Sequence, residues 1–313
     1  MIYRTFRKFN YNAIFWALLL YSVALGKYFF YNFPICQYDN LGITQLLFTD
    51  YQLFIKMLST ILTISYAIWL HIFLNKIKLL RKENLMIILI FPLSIVIISP
   101  IYSSAYLTLI FYILSLQLTT KIDNEKANYY IFLSGFFTSI MLIFSISYSF
   151  IWVSMLIIAI FQQKGFQKSI LFITGGFVAI LLYFEIIAFK HIPEIKTAFS
   201  KFNLILVQSS IYMSLWQKII LYLWAVIFFA VIIRVLLDMN SMLLRKRIFF
   251  LRLIFISLLL LTGFSITKNY GLLLANQVNF AIFLTYFFSE NQGFITKVMF
   301  YLYIISAIAF NYL

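Results

Sequence analysis

Acidic residues and cysteine are what this sequence has least of. Nine Asp and Glu in 313 residues furnish few carboxylate sites, and a single cysteine, Cys36, excludes an internal disulfide and a thiolate metal cage. Charged residues of both signs make up 11% of the chain, against about 25% in an ordinary soluble domain, which excludes a water-soluble enzyme. Familiar catalytic fingerprints are missing as well. No G-x-G-x-x-G, Walker A, H-E-x-x-H, G-x-S-x-G or C-x-x-C stands anywhere in the chain, so nucleotide, zincin, hydrolase and thiol-redox chemistry have no local signature. In their place are 64% hydrophobic residues, 20% aromatics and a mean hydropathy of +0.99. That composition belongs to a membrane.

The remaining charge is lopsided, with 24 Lys and Arg giving a formal net charge of +15. Nucleic-acid binding needs an exposed basic face. Here the basic residues fall in short clusters between apolar runs, as expected of cytoplasmic loops beside anionic lipid. A lipid bilayer is therefore the expected partner, and nucleic acid is not.

About 20 apolar residues cross about 30 Å of hydrocarbon. That length predicts an all-α integral membrane protein of about 11 transmembrane helices (range 9–12), with residues 1–313 forming a single polytopic domain with short loops. The expected spans are 13–31, 53–74, 85–99, 104–120, 130–146, 148–162, 170–189, 217–237, 249–266, 271–288 and 298–313. The basic start, 1–12, with Arg4, Arg7 and Lys8, and the apolar run Ala13 to Gly26 after it resemble a signal peptide and, with so many spans behind them, are expected to stay as an uncleaved anchor. Ser99-Pro100 divides 85–120 into either two short spans or one re-entrant hairpin. Ser145, Ser147 and Ser149 predict a turn. In 190–216, Ile192, Ile195, Phe199, Phe202 and Ile205 recur at steps of three and four, the pattern of an amphipathic helix in the outer interface.

Eleven spans with the N-terminus inside place 17 basic residues on the cytoplasmic side and leave seven outside. The expected orientation is N-terminus in, C-terminus out, and 32–52 becomes an outer loop.

Ionisable groups in or beside a span are expensive in lipid and so mark candidate sites. Glu185 lies near the outer end of the seventh span, within reach of Lys190 and His191. Arg234 and Asp238, four residues apart at the inner end of the eighth span, are spaced for an ion pair. Lys27 and Lys56 flank the outer loop and are expected to snorkel. His71 and His191 have no partner at ligand spacing, so no metal set and no cofactor are identified. The outer loop carries Asp39 and Asp50. An outward carboxylate there either caps a turn, holds a metal with a phosphate ligand, or acts as a general base on an acceptor hydroxyl. Ser134, Gly135, Thr138 and Ser139 form a small-residue face on the fifth span, expected to pack closely against a neighbouring helix or to line a substrate groove.

The basic start Met1-Ile2-Tyr3-Arg4-Thr5-Phe6-Arg7, the Ser99-Pro100 break with Ala105-Tyr106-Leu107, the stretch Phe132 to Ser139 and the stretch Asn279 to Phe288 together resemble the DUF6427 family. The resemblance covers nearly the whole chain, its motifs are apolar, and it implies a multi-spanning inner-membrane protein of Bacteroidota with no assigned activity. A more distant likeness in layout is to membrane glycosyltransferases of the GT-C type, which use polyprenyl-phosphate sugars. That likeness would give Asp39, or second Asp50, the catalytic position. The outer loop is short for that type and holds no paired acidic residues.

Three functions follow as expectations. The first is a non-enzymatic or accessory component of envelope biogenesis or of a membrane complex, with membrane-protein partners. The second is a GT-C-like transferase at the periplasmic face, with a polyprenyl-phosphate lipid as partner. The third is a transporter or lipid flippase that uses Glu185 or Arg234 as a coupling charge.

Overall fold

In hydrocarbon every backbone N–H and C=O must be satisfied from within the protein, and a helix does this segment by segment. The computed structural model describes residues 3, 6, 11–30, 52–80, 84–96, 105–121, 127–162, 165–190, 215–267, 269–291 and 293–312, and every regular element among them is helical. In chain order the helices are α1 (Tyr11–Phe30), α2 (Gln52–Lys76), α3 (Met86–Val96), α4 (Ala105–Thr119), α5 (Ala127–Phe144), α6 (Ser149–Ile160), α7 (Gly165–Lys190), α8 (Leu215–Asp238), α9 (Leu244–Thr267), α10 (Tyr270–Glu290) and α11 (Phe294–Tyr312). Short 3-10 turns stand at Ile146–Tyr148 and Met239–Ser241.

Among the described residues six helices are long and apolar enough to cross a membrane: those covering Met57–Lys76, Ala127–Phe144, Gly165–Glu185, Lys218–Ser241, Leu244–Thr267 and Gly271–Glu290. The other five carry shorter apolar stretches. Serine and threonine are tolerated inside these helices because their hydroxyls bond back to the preceding turn. Thr63 donates to the Ser59 carbonyl at 2.8 Å, Ser115 to Phe111 at 2.7 Å and Thr138 to Ser134 at 2.9 Å.

Residues 85–120 form two helices, α3 and α4, and the Ser99-Pro100 break between them lies outside the described residues. A different proline, Pro92, sits within α3, where it cannot donate to the Ile88 carbonyl. The serine-rich turn is as expected: Ser145 caps the Ile146–Tyr148 turn, accepting from the Ser147 N–H. The interfacial helix expected at 190–216 and the outer loop at 32–52 lie almost wholly outside the described residues. α9 begins five residues before its expected start, so Arg245, Lys246 and Arg247 belong to its first turn.

The architecture is a bundle around α10. Of the membrane-length window in α10, 94% is buried, against 28–39% in the other five long helices. α3, α4, α8, α9 and α11 pack directly on it. Phe250 and Phe283 stack at 5.6 Å between α9 and α10, and Trp224 of α8 lies 5.5 Å from Phe280. To one side α5 and α7 make the tightest helix pair. A Cβ built on Gly135 would overlap the Phe172 carbonyl oxygen, and one built on Gly175 would overlap that of Phe132. Glycine is required here because the two backbones touch, as the small-residue face on the fifth span predicts.

Hydrogen bonds between distant segments sort the helix ends into two groups. The Tyr3 hydroxyl, with one proton to give, lies 2.6 Å from the carbonyl oxygens of both Phe288 and Asn291, and the Leu85 N–H donates to the Phe6 carbonyl at 2.9 Å. Lys246 reaches the Leu79 carbonyl at 3.4 Å, and Arg252 the Thr119 carbonyl at 2.6 Å. Arg247 donates to Met239 at 3.2 Å. These cations thus satisfy carbonyls where α2, α4 and α8 end, which is where a positive charge is favoured. At the other end Asn269 donates to Ser145 at 3.0 Å, and Tyr312 to the Val23 carbonyl at 2.7 Å.

Replacing Gly135 or Gly175 by leucine is expected to destabilise the protein by about 1–3 kcal/mol or more, since backbone rather than a flexible side chain must move. Gly293, where a Cβ meets nothing nearer than Thr296 Oγ1 at 3.9 Å, serves as the control. Thermal unfolding in detergent should show Gly135→Leu and Gly175→Leu well below wild type and Gly293→Ala level with it.

Candidate functional site

Polar side chains concentrate on the helix that lipid does not reach. On α10, Asn276, Gln277, Asn279, Thr285 and Ser289 are each between 0 and 8% exposed. Successive residues turn by about 100°. Asn276 and Asn279 therefore lie near one face, and Gln277 points elsewhere.

Asn279 is fully partnered across three helices. The Tyr112 hydroxyl of α4 donates to its Oδ1 at 2.7 Å, and its Nδ2 donates to Ser257 Oγ of α9 at 3.0 Å. Its neighbours are not so served. Asn276 Oδ1, Gln277 Oε1 and Thr285 Oγ1 are buried without a hydrogen-bond partner. Native proteins leave few such atoms, because each costs about 1–3 kcal/mol of desolvation. Three on one central helix make its polar positions the leading candidate site. They offer neutral amide and hydroxyl groups, suited to binding a polar group or a water and carrying no net charge.

A second cluster lies between α1, α2 and α4. The hydroxyls of Tyr21 and Tyr106 converge on Thr63, and Thr60 also meets Tyr21. The Tyr66 hydroxyl donates to the Tyr106 carbonyl at 2.9 Å. Tyr21, Thr63, Tyr66 and Tyr106 are all buried. Tyr21 lies in the second half of α1 and Thr63 in the first half of α2, so the cluster sits toward the C-terminal end of α1 and the N-terminal end of α2.

The sequence candidates are scattered. Asp39, Asp50 and His191 lie outside the described residues. Glu185 is exposed on α7, and Lys190 is the last residue of that helix, with its side chain outside the description. Arg234 and Asp238 form an ion pair at 3.2 Å at the end of α8, with Arg234 half exposed. His71 accepts from the Asn75 amide at 2.9 Å, one turn along α2. Among the described residues no three of His, Cys, Asp and Glu gather closely enough to hold a metal ion. Among the described residues, the Arg234–Asp238 pair and the His71–Asn75 contact lie on α8 and α2, apart from the hydrogen bonds of the α10 amides.

Sequence reasoning passed over Asn276 and Gln277, although with Asn279 they place three amides within four residues of an apolar span. It likewise treated Arg252 only as a topological charge, although it stands inside the predicted span 249–266. Comparison with family models, with curated proteins and with solved structures finds no match for the chain.

Asn279→Leu is expected to destabilise the protein by about 1–2 kcal/mol, because Tyr112 and Ser257 then lose their partner in a dry interior. Tyr112→Phe should cost less than Asn279→Leu, and the double variant less than the sum. Gln277→Met, which removes an unpartnered oxygen at nearly constant volume, should leave the melting temperature unchanged or raise it. A drop as large as that of Asn279→Leu would show that Gln277 holds the fold.

Proposed function

We propose that this chain is a multi-pass protein of a bacterial inner membrane, N-terminus in and C-terminus out, serving as a non-enzymatic accessory component of an envelope-biogenesis assembly. The observation that carries this reading is how the interior polar groups are used. Asn279 ties α4, α9 and α10 together, Trp224 donates to Ser306 at 2.8 Å across α8 and α11, and Tyr303 donates to the Ile90 carbonyl at 2.9 Å. They hold helices in register, while the exposed faces are apolar. On α8 alone Trp216, Tyr222, Val226, Phe229 and Ile233 are all more than half exposed, a surface suited to lipid or to another membrane protein.

The gathering of Lys246, Arg247 and Arg252 with Tyr3 at one end of the bundle supports the orientation under the positive-inside rule. Six membrane-length helices among the described residues support a multi-pass arrangement, and the resemblance to DUF6427 supports the compartment. Purified from native membranes in mild detergent, the protein should carry a partner in fixed stoichiometry. A stable, solitary monomer overturns the proposal.

A second reading, a GT-C-like transferase acting on a polyprenyl-phosphate sugar, is favoured by the gathering of the Tyr21, Thr63 and Tyr106 hydroxyls between α1 and α2, the two helices that the segment carrying Asp39 and Asp50 joins in sequence. On that reading Asp39→Asn abolishes transfer of envelope glycan without lowering expression. Undiminished transfer in that variant removes it.

A further inference from the structure

Asn276 Oδ1 and Gln277 Oε1 are enclosed without a hydrogen-bond partner, on side chains only 4% and 8% exposed. Both precede Phe280 by one turn of α10, at i−4 and i−3, and so flank Phe280 on the face it presents to α8 and α11. Phe280 packs in an aromatic cluster with Trp224 of α8, at 5.5 Å, and Tyr303 of α11, at 6.3 Å. The ring pairs Phe288–Phe300 and Phe280–Tyr303 show α10 and α11 running antiparallel, since the number on α11 rises as that on α10 falls. Ser306, one turn beyond Tyr303, therefore lies on the same side of the cluster as the two amides. Its hydroxyl accepts from Trp224 at 2.8 Å and donates to the Tyr303 carbonyl at 2.9 Å, which leaves one lone pair unused.

We propose that this level of the bundle, between α8, α10 and α11, is an internal hydration site that holds ordered water against Asn276, Gln277 and Ser306. Rotation of α10 cannot relieve the two amides. Asn279, one turn on from Asn276, is bonded to both Tyr112 and Ser257, which fixes the helix and keeps Asn276 and Gln277 turned inward. An enclosed amide left bare loses its hydration and gains nothing in return. Water both donates and accepts, so it is the smallest group that serves an amide at either end. Two carbonyl oxygens and a hydroxyl supply the about two to four polar partners that a buried water needs. The chemistry also selects against an ion, because Asn276, Gln277 and Ser306 are neutral and offer no charge to offset its desolvation. The site is independent of the accessory role proposed above and needs only that the bundle packs around α10.

X-ray radiolytic footprinting of the full chain in lipid nanodiscs tests the assignment, because radicals formed from a bound water oxidise the side chains beside it, buried or not. Tyr303 and Tyr112 are matched reporters. Both are 0% exposed and both donate through their hydroxyls, Tyr303 beside the proposed water and Tyr112 beside the fully partnered Asn279. Tyr303 should be oxidised on the order of tenfold faster than Tyr112, with the added oxygen drawn from isotopically labelled water. The double variant Asn276→Leu, Gln277→Met should bring Tyr303 down to the rate of Tyr112, whose own rate stays as in the wild type. If the double variant unfolds, oxidation of Tyr112 rises with it, and Gln277→Met alone then provides the reading, with a smaller fall at Tyr303. Equal rates at the two tyrosines in the wild type, or a Tyr303 rate that neither variant lowers, overturns the proposal.

Discussion

The Tyr270–Glu290 helix can exist at membrane depth only if other helices enclose it. Three amides within four residues, at Asn276, Gln277 and Asn279, would make a lipid-facing position costly, since hydrocarbon offers no partner for any of them. Burial in the bundle meets that constraint, and most of the architecture follows from it. α3, α4, α8, α9 and α11 surround the helix, and aromatic rings from α8, α9 and α11 fill the space against Phe280 and Phe283. The bond from Tyr112 to Asn279, and from Asn279 to Ser257, then fixes the rotation of three helices at once.

Away from that centre, helix association has no hydrophobic driving force, because lipid tails are as apolar as leucine. Close backbone approach replaces it. Gly135 and Gly175 let α5 and α7 meet at their carbonyls, and the Trp152 indole donates to Ser139 at 2.9 Å in the same seam. The ends of the bundle use a third device. Arg247 and Arg252 are placed by the start of α9 beside the carbonyls that end α8 and α4, so these cations complete helix termini.

Much of this was legible in the chain. Apolar runs of known length forecast helices where α1 to α11 stand, Ser145 forecast its turn, and Ser134, Gly135, Thr138 and Ser139 forecast a close helix pair. What was not legible is equally particular. The start of α9 was placed late because Arg245, Lys246 and Arg247 lower local hydropathy, yet each is stable in a first turn where side chains reach carbonyls or water. The amides of α10 carry no charge and leave the surrounding run apolar, so hydropathy does not single them out. Arg234 with Asp238 could be paired from spacing alone, since four residues bring two side chains onto one helical face.

Composition and periodicity by themselves determined the solvent this protein lives in, because transfer of apolar side chains depends on residue type and length and scarcely on neighbours. They also determined where the basic residues fall along the chain. Only the tertiary structure decided which helix lies at the centre and which polar atoms found partners. Those outcomes depend on rotation and contact between segments as far as 289 residues apart, as Val23 and Tyr312 are, and no local pattern encodes them.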